Sequence, residues 1–163
     1  MKKLYVILML VALLALFTAP TLATEGGTFK ATLTGYGEVP ALSSPGSGEF
    51  RAKLTSDGTA IEYTLTYSGL QNVFAAHIHL GQAGVIGGVS AFLCGGGDKP
   101  LCDPSADTVK GTIDPADVIG PTGQGIALGE FDELVAAMVA GATYANVHTN
   151  PGFPGGEIRG QIN

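Results

Sequence analysis

From Thr28 to the C terminus, apolar and polar residues alternate in short runs, broken by Gly, Pro, Ser and Asp clusters about every ten residues. Side chains two apart on a strand share a face, so alternation of this kind marks half-buried strands. Regular spacing of such runs predicts an all-β sandwich or barrel. Strands are expected over residues 28–33, 48–54, 60–67, 75–80, 88–93, 108–113, 142–148 and 156–162. The clearest is Ile61-Glu62-Tyr63-Thr64-Leu65-Thr66-Tyr67, which sets four apolar side chains on one face. One segment departs from this pattern. Phe131, Leu134, Val135, Met138 and Val139 recur at helical spacing. Glu130, Asp132 and Glu133 load the first turn with acid, which suits the helix dipole, and Gly141 stands where a left-handed cap would end the helix. The pattern therefore predicts one short amphipathic helix over a β core. A shorter turn is expected at Asp114-Pro115, with Asp as cap and Pro at the first helical position.

The N terminus has a different pattern. Lys2 and Lys3 precede an apolar run of about 14 residues from Leu4 to Phe17, and Thr21-Leu22-Ala23 supplies small residues for a peptidase. The run is short of the roughly 20 residues a bilayer-spanning helix needs. Residues 1–23 read as a secretory signal peptide, and residues 24–163 as a single exported domain, secreted, periplasmic or at the cell surface. Without Lys2 and Lys3, six Lys and Arg face fourteen Asp and Glu, so the net charge moves from −6 to about −8. Phosphate contacts need Lys and Arg, so an acidic chain with no basic cluster is not expected to bind nucleic acid. No later stretch is apolar enough for a membrane span.

Cys94 and Cys102 are the only cysteines. An even count in an exported chain favours a disulfide across the turn-rich Gly95–Leu101 segment. A redox-active or metal-binding pair is the other reading, although the spacing matches no C-x-x-C site.

The chain has three histidines, in Ala76-His77-Ile78-His79-Leu80 and in Tyr144-Ala145-Asn146-Val147-His148-Thr149. Alternation puts His77 and His79 on one face, Tyr144, Asn146 and His148 on one face, and Glu157, Arg159 and Gln161 on one face. If these strands are neighbours, the polar stripes converge. His77, His79 and His148 are then candidate ligands for copper or zinc, since neutral imidazole suits both. Three protein ligands with a fourth position open is the arrangement of catalytic zinc. Glu38, Tyr144, Asn146, Glu157 and Arg159 are candidates for a supporting ring around the metal, with Glu157 or Asn146 able to fix a histidine tautomer. The structural alternative is that the histidines bond carbonyls and brace Gly-rich turns. A weak echo links residues 79–89 to residues 148–158: strand, histidine near its end, Gly-rich loop, Gly-Gly, next strand. Two equivalent hairpins or shared turn chemistry would each explain it. Elsewhere, Glu38, Asp103, Asp107 and Asp114 read as turn or cap residues, and no nucleophile elbow or phosphate loop is present.

Several of these pieces, in this order, resemble the CHRD domain, named for chordin and found in many exported bacterial and archaeal proteins. They are Leu33-Thr34-Gly35 with Glu38-Val39-Pro40, Ala75-Ala76-His77-Ile78-His79 with Gly81, Phe131–Gly141, and Tyr144–Thr149 leading to Gly156-Glu157-Ile158-Arg159-Gly160-Gln161. The resemblance implies an extracellular β-sandwich-like domain and little about chemistry. A fainter likeness, His-x-His followed by Gly on a strand, is to the copper-binding strand of copper/zinc superoxide dismutases, a family that uses more histidines than this chain has. The expected architecture is thus a Greek-key-like β-sandwich or barrel, immunoglobulin-like or superoxide-dismutase-like. The expected function is a binding or structural module whose partner is a metal ion or another extracytoplasmic protein. A metalloenzyme, redox or hydrolytic, using the same histidines is the second expectation, and an interaction or matrix module with purely structural histidines the third. No catalytic residue is assigned.

Overall fold

A computed structural model describes residues 27–103 and 108–163. The expected signal peptide, residues 1–23, and Asp107 lie outside the described residues. Eight strands form one antiparallel sheet: β1 (Thr28–Thr34), β2 (Ser47–Leu54), β3 (Ile61–Ser68), β4 (Val73–Leu80), β5 (Gly88–Cys94), β6 (Thr108–Ile113), β7 (Thr143–Thr149) and β8 (Ile158–Gln161). All eight expected strands are present. Their order in the sheet is β5-β4-β7-β8-β1-β2-β3-β6. The outermost strands β5 and β6 approach each other, so the sheet curls into a nearly closed barrel. Tyr63 on β3 reaches across the interior and donates its hydroxyl to the Leu93 carbonyl of β5 at 2.6 Å. That bond satisfies a buried phenol and ties opposite ends of the sheet.

The alternation works as expected. Ile61, Tyr63, Leu65 and Tyr67 are buried, and Phe50 of β2 stands directly across from Leu65. Leu33, Phe50, Ile78, Leu93, Ile113, Ile158 and Ile162 are fully buried in the same core. Each such side chain contributes roughly 1.5–3 kcal/mol when removed from water. The helix α1 (Phe131–Val139) turns Phe131, Leu134 and Met138 into this core. Glu130 caps the preceding turn by accepting from the Ala127 N–H, and Gly141 follows the helix at φ 65°. At the shorter turn, Asp114 accepts from the Ala116 N–H while Asp117 accepts from the Asp114 N–H, a reciprocal cap over Pro115–Asp117.

Cys94 and Cys102 form a disulfide. The loop it closes is pinned by Lys99, whose ammonium lies 2.6 Å from Asp117 and 2.8 Å from Asp98. Two strand ends differ from expectation. β4 starts two residues earlier, with a register shift between Val73 and Ala75 that turns Phe74 outward. β8 is shorter: Gly156 sits at φ 126°, and the Glu157 N–H still bonds the Val147 carbonyl just ahead of the strand.

Candidate metal centre

The candidate side chains sit on the outer face of the barrel, where β4 pairs with β7 and β7 with β8. Ala76 and Ile78 of β4 and Ala145 and Val147 of β7 point to the core. Alternation therefore turns His77, His79, Tyr144, Asn146 and His148 the other way. Register brings them together: His79 faces Tyr144, His77 faces Asn146, and His148 faces Ala75. His77 and His148 are thus diagonal neighbours across the strand pair.

An outer face of a sheet is usually solvated. Here His77, His79 and His148 are only 9%, 8% and 7% exposed. Their cover comes from the two hairpin loops, which fold back over the stripe from opposite ends of the antiparallel pair. Residues 81–87 return over His79, and residues 150–157 return over His148. Phe92 meets the His77 ring edge-on at 4.7 Å, and Phe74 meets His148 at 6.1 Å.

The hydrogen bonds decide which ring nitrogens carry protons. Nδ1 of His79 lies 3.0 Å from the Gly87 carbonyl, and Nδ1 of His148 lies 3.1 Å from the Pro154 carbonyl. A carbonyl only accepts, so both Nδ1 atoms are protonated and both Nε2 atoms carry lone pairs. Nε2 of His148 stands 3.0 Å from Nδ1 of His77, which must then donate to it. Nε2 of His79 is buried with no hydrogen-bond partner. A buried acceptor left unpaired is uncommon and calls for a reason. One ring nitrogen from each of the three histidines lies within 4.8 Å of the others. Two nitrogens on one tetrahedral zinc ion stand roughly 3.3 Å apart, so Nδ1 of His77 and Nε2 of His148 are near ligating separation once His77 carries its proton on Nε2 instead. Three histidines so placed could bind a metal ion.

Burial keeps all three rings neutral. It pushes His77 down to about 3, helped by the neighbouring His148 and His79. His79 is pushed down to about 4 by burial, against the Gly87 hydrogen bond, with His148 and Arg159 adding to the fall. His148 is also lowered by burial, partly offset by its bond to Pro154. Neutral imidazole is the form that ligates metals, so protons compete weakly for these lone pairs.

A family model described as the CHRD domain matches residues 29–162 of the chain, which is the whole barrel. The chain belongs to the CHRD domain family. No curated protein and no solved structure matches it.

Within this CHRD domain the remaining candidate residues divide into two groups. Tyr144 stacks on His79 with centroids 4.7 Å apart and planes within 7°, and the Arg159 guanidinium carbon lies 3.4 Å from the Tyr144 centroid. Asn146 donates to Glu38 and to the Ile158 carbonyl. Burial raises the Glu38 carboxyl, while Asn146 and the charge of Arg159 pull it back. Of these four, Tyr144 touches a histidine, Arg159 touches Tyr144, and Asn146 and Glu38 bond each other. Glu157 does not reach a histidine: it accepts from Ser44 and Thr149 on the side of the 150–157 loop away from the rings. There it borders a cleft of about 340 Å³ lined by Pro45, Asn72 and Phe153. The tautomers of His79 and His148 are set by backbone carbonyls rather than by Asn146 or Glu157. The sequence holds no direct signal for a carbonyl, because every residue has one. The echo of two Gly-rich loops after a histidine was the nearest clue. Phe74 and Phe92, which wall the rings, were also missed: Phe74 lies before the expected strand 75–80, and Phe92 reads as an ordinary strand residue.

Proposed function

We propose that this protein is an exported CHRD binding domain that holds one transition-metal ion through His77, His79 and His148, copper or zinc by the character of the donors. The observation that carries the reading is the unpaired buried Nε2 of His79 beside two further imidazoles with nitrogens within 4.8 Å. A brace for turns needs only the Nδ1 bonds to Gly87 and Pro154; it gives no reason to bury a lone pair. All three ligands are neutral, so a divalent ion would keep its charge and a position for water or a partner's side chain. The signal-like residues 1–23 and the disulfide support an oxidising compartment. No helix among the described residues is long and apolar enough to cross a membrane.

The test uses tag-free protein collected from the exported fraction. Its N-terminal sequence should begin at Thr24. It should take up copper(II) or zinc(II) near one equivalent, and His79→Ala should lose that uptake. Stoichiometric uptake unchanged in His79→Ala removes the site.

A further inference from the structure

Loop 81–87 presents an unusual problem. Gln82, Ala83, Gly84, Val85 and Ile86 are all exposed, so no apolar side chain in this stretch anchors the loop to the body. Yet its last carbonyl, of Gly87, lies 3.0 Å from Nδ1 of His79 and accepts its hydrogen bond. What holds the loop is polar. Arg159 donates one Nη2 to the Gln82 carbonyl at 3.1 Å and to the Val85 carbonyl at 2.7 Å. The Tyr144 hydroxyl accepts from the Gly87 N–H at 3.1 Å. Gln161 donates to the Gly81 carbonyl at 3.0 Å. Tyr144 on β7 lies between His79 on β4 and Arg159 on β8, so one stack of three side chains runs from the loop to the ring it serves.

Arg159 is 3% exposed. Burying a guanidinium is expensive, and an apolar residue would fill the space at lower cost. What an apolar residue cannot do is grip two carbonyls while lying flat on an aromatic ring, which the planar fork of Arg allows. In water a neutral histidine favours the proton on Nε2. Holding it on Nδ1 therefore requires an acceptor kept in place.

We propose that Arg159 and Tyr144 are positioning residues that clamp loop 81–87 so that the Gly87 carbonyl keeps His79 in its Nδ1–H tautomer, leaving Nε2 free to ligate. The use of that lone pair rests on the metal reading above; the clamp itself does not. Residues that orient a ligating histidine typically change metal affinity 10–100-fold when altered.

The experiment reads the tautomers directly in metal-free protein, by long-range proton–nitrogen spectra of ¹⁵N-labelled histidine. In the unaltered protein His79 and His148 should both be Nδ1–H. Tyr144→Phe keeps the stacked ring and loses the hydroxyl; Arg159→Lys keeps the charge and loses the fork. In each, His79 should acquire Nε2–H character while His148, held by Pro154 in the other loop, stays unchanged. Affinity for zinc(II) or copper(II) should fall 10–100-fold in both variants. An unaltered His79 signature in both variants overturns the proposal. So does a His148 signal that shifts together with His79, because that reports general loosening. If the unaltered protein takes no metal but the tautomers respond as stated, the metal reading fails and the clamp stands.

Discussion

The β4–β5 and β7–β8 hairpins solve one problem by two routes. Each carries a histidine one residue before the end of its first strand, and in each the following loop returns a carbonyl to Nδ1 of that histidine. The accepting residue is eight positions on in one hairpin, Gly87, and six in the other, Pro154. The supports differ more. Loop 81–87 is gripped from outside by Arg159, Tyr144 and Gln161. Loop 150–157 is held partly from within, by Thr149 and Phe153 exchanging backbone bonds and Thr149 donating to Glu157, and partly by Ser44 donating to Glu157 and the Asn72 carbonyl accepting from the Asn150 N–H. Equivalent function at the histidine therefore does not need equivalent side chains around it. It needs a carbonyl held still by whatever groups lie nearby.

Acid should strain both hairpins together, and this is the largest expected effect. Histidine in the unfolded chain takes a proton near pH 6.5, whereas His77 and His79 resist to about 3 and about 4. Between those limits the unfolded chain binds more protons than the folded one. The contribution is complete above pH 6.5 and is lost as pH falls, at about 1.4 kcal/mol per pH unit for each ring held neutral. Glu38, raised by burial, works in the opposite sense and offsets only part of it. Denaturant midpoints of the metal-free protein should drop steeply from pH 6.5 to 4.5; a flat profile would mean that the rings are not buried as neutral groups.

Glycine replacements separate a crowded loop position from an open one. A Cβ at Gly87 would lie 1.6 Å from the Leu80 carbonyl oxygen, so Gly87→Ala must push the loop off the strand end. The expected loss is about 3 kcal/mol, at the upper end for overpacking, with the His79 bond lost as well. Gly155 in the other loop has open space where its Cβ would go. Gly155→Ala should change stability by less than about 0.5 kcal/mol. Thermal melts of the two variants compare them; equal losses would mean that Gly87 is not packed against the Leu80 carbonyl.

A smaller effect isolates the internal support. Thr149→Val keeps the shape and removes the hydroxyl that Glu157 and the Phe153 N–H share. Leaving a buried carboxylate one donor short should cost about 1–3 kcal/mol. Amide exchange should quicken in residues 150–157 and not in 81–87. Equal quickening in both loops would show that they are not held independently.

The fold was largely legible in the amino-acid order. A period of two along the sheet and 3.6 along Phe131–Val139 reflects which side chains must leave water, and that demand is local. The face shared by His77 and His79 follows from the same period; the pairing of Cys94 with Cys102 followed instead from an even cysteine count across a short Gly-rich turn. Three things were settled only by the tertiary structure. Strand order decided that β4, β7 and β8 are neighbours, so that Tyr144, His148 and Arg159 join the His77–His79 pair. Loop return decided that an outward face is buried, which is what lowers the histidines. Carbonyl placement decided which nitrogen of His79 and His148 holds the proton. Strand order depends on contacts between residues dozens of positions apart, and the other two on backbone carbonyls six and eight positions from the rings, groups that every residue shares, so no side-chain pattern encodes them.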